Sequence, residues 1–234
     1  MLQQTGLSLA KGSLWRPQLN TGTLCGGDMS DDWFRNTSWD TAIARRFEEK
    51  LRRARRKEQY LRIQACHLAP IVPQIALELL DRYFALSDTF DHAQAHVDRA
   101  VAFKALGRLE ESAQAYEAAL AREATFPNLK TQAYLDLPIL VATAGLRARF
   151  ERALEVLEHN RNRLMFPLDH FLWHCAYALL CEANQDRERA VMHAKNAMAA
   201  AAREKSGFRY HPSLGLVTEK HRALLDALAS VSPA

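Results

Sequence analysis

The groups best placed to do chemistry are two histidine pairs at four-residue spacing, His92 with His96 and His170 with His174. On a helix this spacing puts both imidazoles on one face, where they could share a metal ion. Asp88 or Asp91 stands near the first pair and Asp169 near the second as a conceivable third ligand. Neither pair carries the glutamate that makes HExxH a hydrolytic motif. A histidine near a helix start also serves simply to cap or to pack, and that plainer role is the expectation. Cys25, Cys66, Cys175 and Cys181 show no CxxC spacing, and Cys175 and Cys181, six apart on an expected helix, diverge too far to bridge. Free buried thiols in a reducing cytoplasm are therefore expected. The chain has no GxSxG, no Gly-rich phosphate loop, and no pair of carboxylates set apart for acid–base work. The expectation is a non-catalytic protein without metal or cofactor. A helical metal protein or enzyme built on the histidine pairs is the lesser alternative.

The densest charge lies in Arg45, Arg46, Lys50, Arg52, Arg53, Arg55, Arg56 and Lys57. On a helix these residues sit opposite Phe47 and Leu51. A basic face of this kind can neutralise phosphates and bind nucleic acid without reading sequence. Against that, Glu48, Glu49 and Glu58 are interleaved, and Glu48 with Arg52 and Glu49 with Arg53 have the spacing of helical ion pairs. No aromatic side chain is interspersed on the face to stack on bases. A solvated face is the simplest reading, a protein-docking patch the next, and a nucleic-acid adaptor the last. The net charge of +4 is too mild to require a polyanionic partner by itself.

These residues need elements to hold them. The 234 residues, 48% hydrophobic and 25% charged, suffice for one domain with a sizeable core. Of only nine glycines, five lie at positions 6, 12, 22, 26 and 27, so the rest of the chain is poor in breakers. It is rich in Ala, Leu, Glu and Arg, and no stretch alternates β-branched with polar residues, so helix is expected nearly everywhere. No apolar run is long enough to span a membrane. No apolar stretch follows Lys11 and Arg16, so no secretory signal is expected. The excess of 23 Arg over 8 Lys fits a GC-rich bacterial coding sequence.

From Trp39, with Thr37 or Ser38 as its cap, one helix is expected to carry Ile43, Phe47, Leu51, Ala54, Leu61, Ala65 and Leu68. Pro70 and Pro73 end it and open the next, which holds Ile75, Leu79, Leu80, Tyr83 and Phe84. Asp88 or Asp91 caps a helix with Ala100, Phe103 and Leu106, and Gly107 turns the chain into Leu109, Ala113, Tyr116, Ala119 and Leu120. Pro127 is expected to start a long helix that Pro138 kinks or resets, followed by Phe150, Ala153, Leu154 and Leu157 to about Arg163. Pro167 and Asp186 open a further pair, and a helix over about 216–229 caps the end. Trp33, Phe34 and Trp39 either tuck over the first helices or stay out as a recognition element; the cost of wet aromatics favours docking.

The window 93–126, AQAHVDRAVAFKALGRLEESAQAYEAALAREATF, joins two amphipathic helices by a Gly turn. Such a pair cannot bury its apolar stripe alone and needs stacked neighbours. It resembles the tetratricopeptide repeat, a helix–turn–helix unit. The small residues Ala76, Ser112, Ala153 and Ala190 at the aligned turns are spaced 36, 41 and 37 apart, so the repeats are irregular and cover roughly 58–204. The resemblance implies an all-α, right-handed αα superhelix of about four helix pairs plus a C-terminal capping helix. In this family the first helix of each pair lines a concave groove that binds a peptide or partner helix. Aligned to the turns, the implied groove residues are Leu61, Ala65 and Leu68, then Val97, Val101 and Lys104, then Cys175, Leu179 and Glu182; the third unit is too irregular to transfer. The Lys, Arg and Asn used by the carboxylate-clamping branch are mostly replaced by apolar residues, so an apolar or amphipathic segment is the implied occupant, from a protein partner or a second copy. Alternatively, added helices at 39–57 or 216–229 fill the groove and make these residues core. Residues 1–28, aperiodic and weakly charged, are expected to be a flexible arm or to lie upstream of a natural start at Met29, with 29–234 forming the helical domain.

Overall fold

Polar turns and Gly or Pro breaks cut the chain into short rods. The computed structural model describes residues 32–86 and 90–231. The expectations for residues 1–28, for Met29 and for Asp88 lie outside those residues. The rods are α1 (Thr41–Arg53), α2 (Lys57–Leu68), α3 (Pro73–Phe84), α4 (His92–Ala105), α5 (Leu109–Thr125), α6 (Ala133–Ala144), α7 (Phe150–His159), α8 (Pro167–Ala183), α9 (Arg187–Ala201) and α10 (Arg222–Val231). Among the described residues there is no strand, so the all-α expectation holds. No helix among them is long and apolar enough to cross a membrane.

Sequence neighbours pack side by side: α2 on α3, α4 on α5, α6 on α7 and α8 on α9. Each pair meets the next through α3 with α4, α5 with α6 and α7 with α8, and α10 packs against both α8 and α9. Small residues set how closely the rods approach. Ala176, Ala178, Ala190, Ala194 and Ala197 are fully buried in α8 and α9, and Ser112 donates its hydroxyl to the Ala100 carbonyl of α4 at 2.8 Å. Two apolar clusters result. One joins Trp33, Phe47, Leu51, Leu61, Leu68, Leu80 and Tyr83; the other joins Tyr116, Leu135, Leu140, Leu157, Phe171 and Leu180. Helix α4 divides them, giving Ala95 and Ala102 to the first and Val97 and Ala100 to the second.

Three boundaries differ from expectation. The single helix expected from Trp39 to Leu68 is broken at Ala54, whose extended backbone (φ −73, ψ 139) separates α1 from α2. Arg52, Arg53, Arg55, Arg56 and Lys57 would set like charges three and four residues apart on a continuous helix, which destabilises it at this point. The α1 cap is Asp40, which accepts from the Ile43 N–H at 2.8 Å, and not Thr37 or Ser38. Helix α6 starts at Ala133 and not at Pro127, because the Glu123 carboxylate holds the preceding turn through the Thr131 N–H and hydroxyl. Pro138 lies inside α6 without ending it: α6 packs against α5, α7 and α8, and that burial carries the helix past one missing hydrogen bond. Gly145, in the left-handed region at φ +65, then stops α6.

Candidate functional site

Five of the nine residues that alignment to the turns places on a groove lie in the core. Leu61, Ala65, Leu68, Val97 and Cys175 are all core, between 0 and 7% exposed. They have no surface to offer a partner. Val101 and Leu179 are half-buried at the edges of the two clusters, and Lys104 and Glu182 are exposed. The half-buried apolar side chains on the first helices include Ile63 of α2, Val101 of α4, Ile139 of α6 and Leu179 of α8, with Tyr60, Phe103 and Leu172 on the same helices. A turn alignment fixes the repeat but leaves the rotation of each helix open. The register of burial, set by α3, α5, α7 and α9 behind, decides which residues face out.

Between α2 and α4 lies a polar node that the sequence reading missed. Asp98 is 4% exposed and takes a hydrogen bond from Arg62 Nη1 at 3.2 Å and from Gln94 Nε2 at 3.1 Å. Arg62 also reaches Asp91 at 3.4 Å. Burial pushes the Asp98 carboxyl up, against the pull of Arg62. It also pushes the Cys66 thiol up to about 12, with Asp98 adding to the effect. A second node joins α5, α6 and α7: the buried Glu123 accepts from Thr131 and from Arg163 Nη1 at 3.0 Å, and Arg163 Nη2 donates to the Thr131 carbonyl at 2.7 Å. Beside it, a cleft of about 370 Å³ between α5 and α7 is lined by Glu117, Lys130, Arg152 and His159. The one sequence signal for either node is a lone charge, Asp98 or Glu123, on an otherwise apolar helix face.

The histidine pairs part company. His92 and His96 pack on aromatic rings, His96 at 4.6 Å from the Phe84 centroid and His92 at 5.4 Å from that of Tyr83. Burial holds His96 down at about 4, helped by Arg99 and the neighbouring His92. His174 turns away from His170 toward α9, and its Nδ1 lies 2.9 Å from His193 Nδ1, close enough for one shared proton. Tyr177 stacks on the His193 ring at 4.4 Å and donates its hydroxyl to Glu158 at 2.6 Å. Burial, then His193, hold His174 at about 4, and burial lowers His193 despite Glu158. The Asp169 carboxylate, considered as a ligand with His170 and His174, accepts from the Met165 and Phe166 N–H groups at the start of α8. Among the described residues no three His, Cys, Asp or Glu side chains converge as a ligand set. Cys66, Cys175 and Cys181 are free thiols, and burial raises Cys175 to about 12. Such thiols are poor nucleophiles.

Every member of the basic run, Arg45, Arg46, Lys50, Arg52, Arg53, Arg55, Arg56 and Lys57, is exposed. Glu48 bonds Arg82 of α3 at 2.5 and 3.1 Å, so it is drawn away from the Arg52 expected as its partner. Trp33 is docked against Phe47 and Tyr60, and Trp39 against Phe47. A loop at 206–217 lies over the start of α8. There the Leu168 N–H donates to the Gly215 carbonyl at 2.8 Å and Phe208 stacks on Phe166. Gly215 is required there: its φ is +69, and a Cβ would stand 2.5 Å from the Phe166 side chain. Tyr210 on the same loop is 79% exposed.

No protein-family model, curated protein or solved structure matches this chain.

Proposed function

We propose that this protein is a non-catalytic interaction scaffold: a tetratricopeptide-like superhelix that holds an apolar or amphipathic segment of a protein partner, or of a second copy, along its first helices. The proposal places it in the cytoplasm. The observation that supports it is that each first helix keeps half-buried apolar residues, Ile63, Val101, Ile139 and Leu179 among them, through four successive packed pairs. Read as one inner wall with Lys104 and Glu182 at its edge, they form an apolar strip with polar ends, suited to an amphipathic helix. The wall keeps Val101, Lys104, Leu179 and Glu182 of the positions that turn alignment selects and leaves out the buried ones.

The test is site-specific photo-crosslinking in cells from positions 101 and 179, with position 192 on exposed Met192 as the outer control. The same partner segment is expected from both inner positions and not from the control. The double variant Val101→Asp, Leu179→Asp should weaken binding of that partner by about tenfold or more while the helical circular dichroism is retained. Crosslinks spread equally over all three positions, or unchanged binding by the double variant, overturn the reading.

A further inference from the structure

The arginines of this protein divide into two populations. Most find a carboxylate on the same chain: Arg62 with Asp98, Arg82 with Glu48, Arg99 with Asp81, Arg108 with Glu111, Arg149 with Glu110 and Glu117, Arg163 with Glu123. Arg152, Arg187, Arg189 and Arg222 are likewise paired. Among the described residues Arg45, Arg52, Arg53, Arg55 and Lys57 have no carboxylate partner. Arg147, Arg161, Arg203 and Arg209 also lack one but stand apart on other elements, whereas the five are exposed and adjoin one another on α1, the break after it and the start of α2. A block of like charge held on an ordered helix repels itself and works against the fold. No carboxylate among the described residues pairs with these groups, which leaves them open to a partner's counter-charge.

Three features narrow the partner. Phe47 and Leu51, the apolar face of α1, are 0 and 3% exposed, so this helix has no hydrophobic side left to enter a bilayer. The outward face carries no ring to stack on nucleic-acid bases. Arg45 and Arg52, and likewise Arg46 and Arg53, are seven residues apart on α1, about 10 Å along its axis. A second helix laid alongside repeats its side chains at that same interval, and guanidinium forks grip carboxylates in pairs. The chain's own exposed and unpaired glutamates, Glu49, Glu78, Glu151, Glu188, Glu204 and Glu219, are scattered over separate elements, so a second copy offers no matching glutamate block.

We infer that the outer face of α1, with Arg45, Arg52, Arg53 and the adjoining Arg55, docks an acidic helix of a protein partner that carries carboxylates one heptad apart. This surface is separate from the first-helix wall, and its fate does not depend on that reading. The test is fluorescence anisotropy with the full chain and a labelled Ala-rich helical peptide bearing glutamates at heptad spacing, in moderate salt. Parallel arms use the same peptide with its glutamates scrambled, a labelled DNA duplex, and vesicles of anionic and neutral phospholipid. Two variants are compared with the parent: R45E/R52E/R53E, and R45K/R52K/R53K, which keeps the charge and loses the forks. All three positions are exposed, so both variants are expected to keep the parent's thermal midpoint. Support is saturable binding of the heptad peptide, weaker binding of the scrambled one, loss of about tenfold or more in the glutamate variant, and an intermediate loss in the lysine variant. The inference is overturned if the parent does not bind the heptad peptide, or if it binds the scrambled peptide as well. It is equally overturned if the glutamate variant binds unchanged, or if the duplex or anionic vesicles bind more tightly than the heptad peptide in the same buffer.

Discussion

The α2/α4 junction and the α8/α9 junction both bury polar side chains between helices, and they solve the problem in opposite ways. At α2/α4 a full charge, Asp98, is neutralised by Arg62 and by the amide of Gln94. At α8/α9 burial favours the uncharged forms of the two groups, His174 and His193, whose Nδ1 atoms lie against each other, with the Tyr177 ring over one of them. The first arrangement is sensitive to losing a partner, because a buried charge left alone is costly. The second is sensitive to gaining protons, because charging a buried imidazole is costly and two imidazolium rings side by side repel each other. The same helical packing thus makes one end vulnerable to mutation and the other to acid.

The largest expected effect tests the charged junction. Asp98→Ala should destabilise the protein by about 3 kcal/mol, since Arg62 then remains buried with only Asp91 near it. Denaturant unfolding measures this, and the double replacement R62M/D98L should recover most of the loss; equal instability of the double variant would show that packing and not charge dominates. A smaller effect is expected at the neutral junction. His174 and His96 are held near 4, and His193 is also lowered, whereas the unfolded chain takes up protons at the ordinary histidine value of about 6.5. Stability present at neutral pH is therefore lost progressively as the pH falls from about 6.5 toward 4. Thermal midpoints measured across that range should fall, and His193→Gln should flatten the slope without removing it, because His96 contributes from another helix. The smallest effect is at the surface. Breaking the exposed Glu48–Arg82 pair with Arg82→Ala should cost about 0.5 kcal/mol and should shrink further in high salt.

Much of the helical layout was legible from breakers. Pro73 and Pro167 stand at the starts of α3 and α8, and Asp186 caps α9 with its side chain on the Arg189 N–H. The docking of Trp33 was likewise readable, because an aromatic ring left in water is costly. The exceptions share a physical origin in tertiary contacts. Pro138, expected to kink or reset its helix, lies inside α6, which packing on three sides carries past it. His174 was paired with His170 by spacing, yet its partner, His193, is nineteen residues further on, across a helix interface. Leu61, Ala65 and Cys175 were placed on a groove wall, and the helices behind draw them into the core.

The sequence by itself determined that this chain is helical, roughly where its rods begin and end, and that they must pair. Those properties follow from local propensity, from caps and prolines, and from apolar stripes too large to leave in water. The tertiary structure alone decided how each rod is rotated about its axis. That rotation buries Asp98 beside Arg62, joins His174 to His193, and leaves Ile63, Val101, Ile139 and Leu179 partly open. It depends on how side chains from helices far apart in the sequence fill the same space, and no window along the chain contains that information.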